Sequence, residues 1–323
     1  MLRALVALLV VCPAIARAEA PPPPDGWRLM LSDLTILRVN PLGLETRMRF
    51  GLQKKLYPSS KKITENNFLF VGAFPKLNPA SAQMSLGGEI QPASIFNLRV
   101  YGEVQRFFGT FGYLQAFPSA NANYSDHTLA FNKDNPTPLT EPTSSLVKHF
   151  SVQPMIQLKA GKIAARMLGM IDYWSFDVRA GGVTVYEPTF DTLLPRNGWT
   201  LASDIDLLYV TGTGLAAGLR HSYVHPFYNA RHFTGAADEA AYEGDNAHQR
   251  LGFFGAYTFR DDGPSTFNKP TAILIVSWYL QHHYRAGEPS TIPTGSTSDD
   301  YRTRAFPYVV AGFAFESDFL PVQ

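Results

Sequence analysis

Hydrophobic and polar residues alternate with a period of two through segment after segment of this chain. In one segment Leu98 and Val100 lie on one face, whereas Asn97, Arg99 and Tyr101 lie on the other. Such alternation predicts a β-strand with one apolar and one polar face. Twelve segments show it, at residues 27–38, 42–53, 67–75, 82–91, 96–105, 146–158, 163–177, 199–210, 215–228, 248–259, 271–285 and 303–316. Ten strands is the alternative count, because segment 67–75 is shorter and less regular and segment 27–38 is equally compatible with a short helix.

Most of these segments are roughly twice as long as the 5–6 residues typical of strands in globular proteins. A tilted strand that crosses a bilayer needs about 9–11 residues. The connections are sorted by length, with short turns at residues 92–94, 161–162 and 211–214 and long loops at 109–144, 178–198, 229–247 and 286–302. Short turns on one side and long loops on the other are typical of a transmembrane barrel. The fold class predicted is therefore an all-β, antiparallel, up-and-down transmembrane β-barrel of about twelve strands, with short periplasmic turns and long extracellular loops.

The N-terminus has the three-part layout of a secretory signal peptide. Arg3 precedes an apolar run at residues 4–11, and the small residues Ala16 and Ala18 follow it. The apolar run is too short to cross a hydrocarbon core about 30 Å thick. The pattern predicts a signal peptide over residues 1–18.

After this signal, a Pro-rich spacer is expected over residues 19–26 and a single barrel domain over residues 27–323. The one cysteine, Cys12, lies within the signal. The mature chain is therefore expected to lack a disulfide, a thiolate nucleophile and a Cys-ligated zinc site.

Composition excludes two classes of protein. Charged residues make up 17% of the chain, and 28 Lys and Arg residues balance 27 Asp and Glu residues to a net charge of +1. Without an excess of cations the chain lacks the electrostatic signature of a nucleic-acid-binding protein. Its 45% hydrophobic content is too high for a disordered chain.

The signal, the alternating segments and an aromatic C-terminal segment at residues 308–319 resemble those of bacterial outer-membrane β-barrel proteins. The resemblance covers essentially all of the mature chain. It implies a location in the cell outer membrane, contact with outer-membrane lipid and lipopolysaccharide, and insertion by the barrel assembly machinery. No cofactor and no metal are expected, and the oligomeric state is left open.

Alternation assigns a set of charged residues to the inward face of the barrel. They are Arg47, Arg49, Glu89, Arg99, Glu103, Arg166, Asp172, Asp204, Asp206 and Arg220. Hairpin spacing places Glu89 beside Arg99 and Asp206 near Arg220. One interpretation is a set of cross-strand ion pairs that satisfy a polar interior. The other is a lining that selects a small polar or charged solute, with balanced signs disfavouring strong selectivity for one charge.

His149 and Ser151 lie two residues apart, on the same face of a predicted strand. This pair resembles the His-x-Ser pair of two outer-membrane lipid hydrolases, the phospholipase A and the lipid A deacylase. The resemblance implies that Ser151 would be the nucleophile and His149 its base. Val152 follows Ser151, where the phospholipase pattern has Asn-Gly.

Taken together, the patterns favour a non-enzymatic protein, either a passive channel for small polar solutes or a structural membrane protein. A lipid-acting hydrolase that uses Ser151 and His149 is one alternative. A surface interaction protein that acts through its long loops, above all loop 109–144, is the other.

Overall fold

A computed structural model describes residues 26–261, 263, 265–286 and 305–319 of the chain. Its strands and helices are β1 (Trp27–Val39), β2 (Gly43–Lys54), β3 (Phe68–Ala73), β4 (Lys76–Asn78), β5 (Ser81–Ala93), β6 (Phe96–Phe108), β7 (Ala116–Phe117), α1 (Asp126–Asp134), β8 (Ser144–Ala160), β9 (Ile163–Phe176), β10 (Thr184–Glu187), β11 (Thr192–Pro195), β12 (Asn197–Val210), β13 (Leu215–Pro226), a 3₁₀ turn (Ala230–His232), α2 (Ala236–Ala240), β14 (His248–Thr258), β15 (Asn268–Gln281) and β16 (Tyr308–Asp318). Predicted signal 1–18 lies outside the described residues, as does most of the predicted spacer 19–26 and of loop 286–302.

Twelve antiparallel strands close into a barrel within the described part of the chain. β3 and β4 together form one interrupted strand between β2 and β5, and β7, β10 and β11 lie outside the barrel wall. Closure is made by β1, which pairs with β2 on one side and with β16 on the other. The prediction of an up-and-down barrel of twelve strands is confirmed, and segment 27–38 is a strand rather than a helix.

Short turns at residues 94–95, 161–162 and 211–214 lie at one end of the barrel, here called the short-turn end. Two longer connections, 55–67 and 259–267, also lie at this end. The opposite end, here called the loop end, carries the long connections together with the short turns 40–42 and 79–80, so the sorting by length is not strict.

Neighbouring residues of one strand differ sharply in exposure. Ser85 is fully buried whereas Leu86 is 69% exposed, and Asp206 is 1% exposed whereas Leu207 is 55% exposed. The wall therefore has polar side chains inside and apolar side chains outside, the reverse of a water-soluble protein. An apolar surface that surrounds a closed barrel matches the lipid-facing band of a membrane barrel.

The loop end is covered by a folded cap, built from the connections 109–143, 177–196 and 227–247 together with residues 282–286. In the cap, β11, β10 and β7 form a three-stranded antiparallel sheet that joins two of these connections. None of the helices among the described residues is long and apolar enough to cross a membrane.

The cap has its own hydrophobic core. Leu114 from the first connection packs with Val185 and Leu194 from the second and with Trp174 from the wall. Loop 109–143, which the sequence presents as a candidate binding loop, thus contributes apolar side chains to a closed structure over the barrel mouth.

Candidate functional site

The lumen contains a cavity of about 970 Å³. At the short-turn end its lining reaches the turn residues 212–214 and Asp261. At the loop end the lining ends at Glu187, Thr189 and Phe190 of the cap. The cap therefore forms the roof of the cavity.

The structure places all the sequence-predicted inward residues inside the barrel, but at two depths. Eight of them line the cavity: Arg47, Arg49, Glu89, Arg99, Arg166, Asp172, Asp204 and Arg220. Glu103 and Asp206 lie behind this surface, where Glu103 bonds to Lys76 and Asp206 bonds to Arg166 and Arg220. Strand register brings Glu89 opposite Arg99 and Asp206 opposite Arg220.

The carboxylate of Glu89 accepts hydrogen bonds from two arginines on the wall formed by β2, β5 and β6. Arg49 donates from Nε to Oε2 of Glu89 over 3.0 Å, and Arg99 donates from Nη2 to the same oxygen over 3.1 Å. Asn97 donates to the other oxygen, Oε1, over 2.8 Å. This group therefore carries a net charge of +1 when all its members are ionised.

Two further ion pairs extend this wall. Arg47 donates to Glu45 on its own strand, and Lys76 donates from Nζ to Oε2 of Glu103 over 2.8 Å. The four cations Arg47, Arg49, Lys76 and Arg99 are called the cationic stripe below.

The cations of the stripe are more exposed to the cavity than their carboxylate partners. The side chains of Arg47 and Arg99 are 32% and 34% exposed, and that of Lys76 is 20% exposed. Their partners Glu45, Glu89 and Glu103 are 3%, 7% and 0% exposed. Beside the stripe, a solute in the cavity therefore meets more positive than negative charge.

Aromatic rings lie beneath the stripe. Phe70, Phe74 and Tyr101 follow one another at centroid distances of 5.6 Å and form what is called the aromatic ladder below. The guanidinium of Arg49 lies 3.5 Å from the ring centre of Phe70, and that of Arg99 lies 5.2 Å from the ring centre of Phe74. Rings in these positions attract the cations electrostatically and fix their direction.

Two glycines give the ladder its space. A Cβ atom at Gly51 or at Gly72 would lie 2.8 Å from Cζ of Phe70, and closer still to the backbone of the neighbouring strand. Any larger residue there would displace the ring. The inward position of Phe70 was not predicted, because alternation assigns the inward face to polar residues. The sequence feature that could have indicated it is the cluster of aromatic residues at positions 68, 70 and 74.

The arc of the lumen from β12 round to β1 carries both charged and apolar side chains. Asp204, Arg220 and Arg250 line the cavity here, while other inward side chains of these strands pack into a buried cluster that includes Leu208, Phe254 and Ile273. Four residues of this region also line the cavity and are called the apolar wall below: Leu34, Ile36, Ile275 and Val310. This apolar wall adjoins the cationic stripe, because Leu34 of β1 lies opposite Arg47 of β2 in the strand register.

His149 and Ser151 do not form a nucleophile and base. Nδ1 of His149 lies 3.0 Å from Oε1 of Glu103, and Nε2 lies 2.9 Å from Oδ1 of Asp172. Both ring nitrogens are therefore engaged by carboxylates, while Ser151 is fully buried and accepts a hydrogen bond from Gln153 over 3.1 Å. This geometry pairs His149 with carboxylates rather than with Ser151 and lends no support to the hydrolase interpretation of the pair.

The cap is held by a buried polar cluster around Asp191. Its carboxylate accepts hydrogen bonds from Tyr186 over 2.8 Å, from Tyr279 over 2.9 Å and from Arg285, whose Nη2 lies 2.9 Å from Oδ1. Arg285 also bonds to Asp126 of α1 over 2.9 Å. These bonds join the connections 109–143 and 177–196 to the end of β15.

Two opposing effects determine the acidity of Asp191. Burial alone would raise its pKa, but the guanidinium of Arg285 and the ring of His282 outweigh burial and hold the pKa of this carboxyl well below its usual range. Asp191 is therefore ionised at any neutral or mildly acidic pH.

Metal ligation finds no support among the described residues. They contain no group of three or more His, Cys, Asp or Glu side chains placed to hold a metal ion.

Comparison with known proteins gives fold-level likenesses only. No family model matches the chain, and no curated protein matches it. OccD3 from Pseudomonas aeruginosa is 9% identical over 95% of this chain and 94% of that chain, with a TM-score of 0.31. The outer membrane protein OprD from the same organism is 9% identical over 94% of this chain and 96% of that chain, with a TM-score of 0.28. Salmonella typhi OmpF, solved with daunomycin, is 8% identical over 90% of this chain and 97% of that chain, with a TM-score of 0.28. These scores are too low to transfer a function to this chain.

Proposed function

We propose that this protein is a passive channel of the bacterial outer membrane that admits small solutes into its lumen. The observation that carries the proposal is the cavity, lined in part by charged side chains, inside a closed barrel whose outer face is apolar. In hydrocarbon every backbone polar group must be paired within the protein, and a closed sheet meets this requirement.

The cap gives this channel a closed resting state. The cavity lining ends at Glu187, Thr189 and Phe190, and the cluster around Asp191 holds the cap above them. Passage from the loop end to the short-turn end therefore requires displacement of the cap, whereas the cavity is reached from the short-turn end without it.

The surroundings of the barrel follow from the same proposal. Its outer face would contact membrane lipid, and the barrel assembly machinery would insert it. Arg106 and Lys148 are exposed on the outer face of β6 and β8, at the loop end. They match the phosphate groups of lipopolysaccharide in charge.

The test is conductance of the protein in planar bilayers, with the wild type compared with Arg285→Ala. We expect rare openings from the wild type and frequent openings from the variant, because the variant loses the cation that holds the cap to Asp191. A silent bilayer with both proteins overturns the channel proposal. A mature chain that stays monomeric in buffer without detergent overturns the membrane location as well.

A further inference from the structure

We propose that the lumen binds amphipathic organic anions, with the anionic head on the cationic stripe and the apolar body against the apolar wall. This inference rests on the proposed function, since it names the class of solute that the same cavity takes. It depends on three features of the described residues. They are the exposure of the cations, the aromatic rings that hold the cations in position and the apolar wall beside them.

The evidence for the head subsite is that the cation of each pair is more exposed than its carboxylate. Arg99 is 34% exposed while Glu89 is 7% exposed, and Arg47 is 32% exposed while Glu45 is 3% exposed. Glu89 accepts from both Arg49 and Arg99. A carboxylate or sulfonate in the cavity can therefore reach these cations, and charge-assisted hydrogen bonds to such groups are among the stronger ones in proteins.

The support of the stripe keeps these cations directed at the cavity. The guanidinium of Arg49 is held over Phe70 at 3.5 Å, and the ammonium of Lys76 lies 5.4 Å from the ring centre of Tyr101. The rings themselves are buried, with Phe70 at 0% and Tyr101 at 5% exposure. Binding an anion therefore costs little side-chain ordering, because the cations are already held in position.

The body subsite adjoins the head subsite, because Leu34 of the apolar wall lies opposite Arg47 in the pairing of β1 with β2. The apolar wall borders the same cavity as the stripe, and Met155 and Leu168 also line this cavity. A fully hydrated ion gains nothing from this surface, whereas a short hydrocarbon or aromatic body gains about 25 cal/mol for each Å² of apolar area removed from water. The cavity therefore favours an anion that has an apolar body over a small inorganic anion.

The experiment measures binding to the full-length mature protein, refolded in a neutral detergent, by isothermal titration with empty micelles as the reference. The probes are 4-phenylbutyrate, the alcohol and the amine with the same phenylbutyl body, and acetate. We expect 4-phenylbutyrate to bind at least about tenfold tighter than each of the others, which is the scale of one charge-assisted hydrogen bond. Equal affinities for the acid, the alcohol and the amine overturn the head subsite.

A matched pair of variants separates the lumen from the general charge of the barrel. Arg99 and Arg106 lie on the same strand, β6, with Arg99 at the cavity and Arg106 exposed on the outer face. Arg99→Gln should weaken 4-phenylbutyrate by about tenfold, whereas Arg106→Gln should leave it unchanged. Equal losses in the two variants overturn the placement of the head.

A second variant tests the body subsite. Val310→Thr keeps the shape of the side chain but replaces one methyl group of the apolar wall by a hydroxyl. We expect it to weaken 4-phenylbutyrate severalfold and to leave acetate unchanged. If 4-phenylbutyrate is unaffected, the body does not lie on this wall.

The binding experiment and the conductance experiment distinguish failure of this inference from failure of the proposed function. A protein that conducts but binds the four probes alike retains the channel function and loses this inference. A protein that binds 4-phenylbutyrate through Arg99 but never conducts retains the binding site and loses the channel function.

Discussion

The cap and the lumen wall both contain ion pairs between an arginine and a carboxylate, but the exposure of the arginine differs between them. In the cap both partners are hidden, with the side chain of Arg285 at 5% and that of Asp191 at 2% exposure. In the Arg99–Glu89 pair of the wall only the carboxylate is hidden, since Arg99 remains 34% exposed while Glu89 is 7% exposed.

The difference lies in how accessible each cation is from the cavity. Arg285 donates to Asp191, Asp126 and Asn40, so its donors are engaged by the protein. Arg99 shares Glu89 with a second arginine and borders the cavity. A fully enclosed pair holds segments together, whereas a pair with one exposed partner presents charge to a solute. Exposure of each partner, rather than the presence of the pair, distinguishes the two roles.

The largest effect is expected from removal of the enclosed cation. Arg285→Ala leaves Asp191 buried without its guanidinium partner, and breaking a buried pair in this way costs about 3–5 kcal/mol. We expect the cap to open while the barrel wall persists, as measured by hydrogen exchange of the backbone amides of β10 and β11 against those of β12.

The matched control is Arg179→Ala. Arg179 pairs with Glu141 in the same cap, but these side chains are 42% and 49% exposed. Its loss should change cap stability by only about 0–1 kcal/mol. Equal exchange in the two variants would show that the buried cluster does not hold the cap.

A smaller effect is expected from Glu89→Gln in the lumen. The variant removes the negative charge between Arg49 and Arg99 but retains an oxygen acceptor, so the cavity gains net positive charge. We expect the anion-to-cation permeability ratio, measured as a reversal potential in a salt gradient, to rise. The barrel should lose about 1–3 kcal/mol of stability. The control is Glu141→Gln on the cap, and an unchanged ratio in Glu89→Gln would contradict the role of the stripe.

Acid provides a third test. Because the pKa of Asp191 is depressed in the folded protein by Arg285 and His282 against the effect of burial, its contribution to stability is complete above the ordinary aspartate pKa of about 4 and is lost only as the pH falls below that value. The cap should therefore stay closed between pH 7 and pH 5, as monitored by proteolysis of its connections.

In Asp191→Asn this acid-dependent loss should disappear, because the titrating group is gone. A wild-type cap that opens already near pH 6 would contradict the assignment of Asp191 as the group that holds it.

The smallest effect is expected from salt, and it should separate the two regions. Raising ionic strength from 0.1 M to 1 M shortens the screening length from about 10 Å to 3 Å. We expect anion preference in the lumen to fall, because Arg99 faces solvent, while protection of the cap stays the same. A cap that loosens in parallel would show that its cluster is open to ions.

Much of the wall follows from local pattern. Alternation around Leu98 and Leu207 predicts strands with the correct faces, since side chains of a strand point to opposite sides regardless of what surrounds them. The same rule places Arg99 and Asp206 inside, and hairpin spacing places Glu89 opposite Arg99.

The cap follows from none of these patterns. Asp191, Asp126 and Arg285 come from three connections that are far apart along the chain. Connections without periodicity carry no sequence signal for the contacts that they make, so the roof over the cavity was not predicted. The partners of His149 were not predicted for a related reason, because the carboxylates that bind its ring belong to neighbouring strands.

By itself the sequence determined the strand pattern, the inward direction of the charged wall residues and the near equality of opposite charges. The tertiary structure alone decided which charges reach the cavity, because exposure depends on how side chains from neighbouring strands stack over one another. Arg99 and Glu89 are equivalent in a list of charged residues, but the packing of Phe74 beneath the arginine and of Asn97 against the glutamate makes one a surface and the other its support.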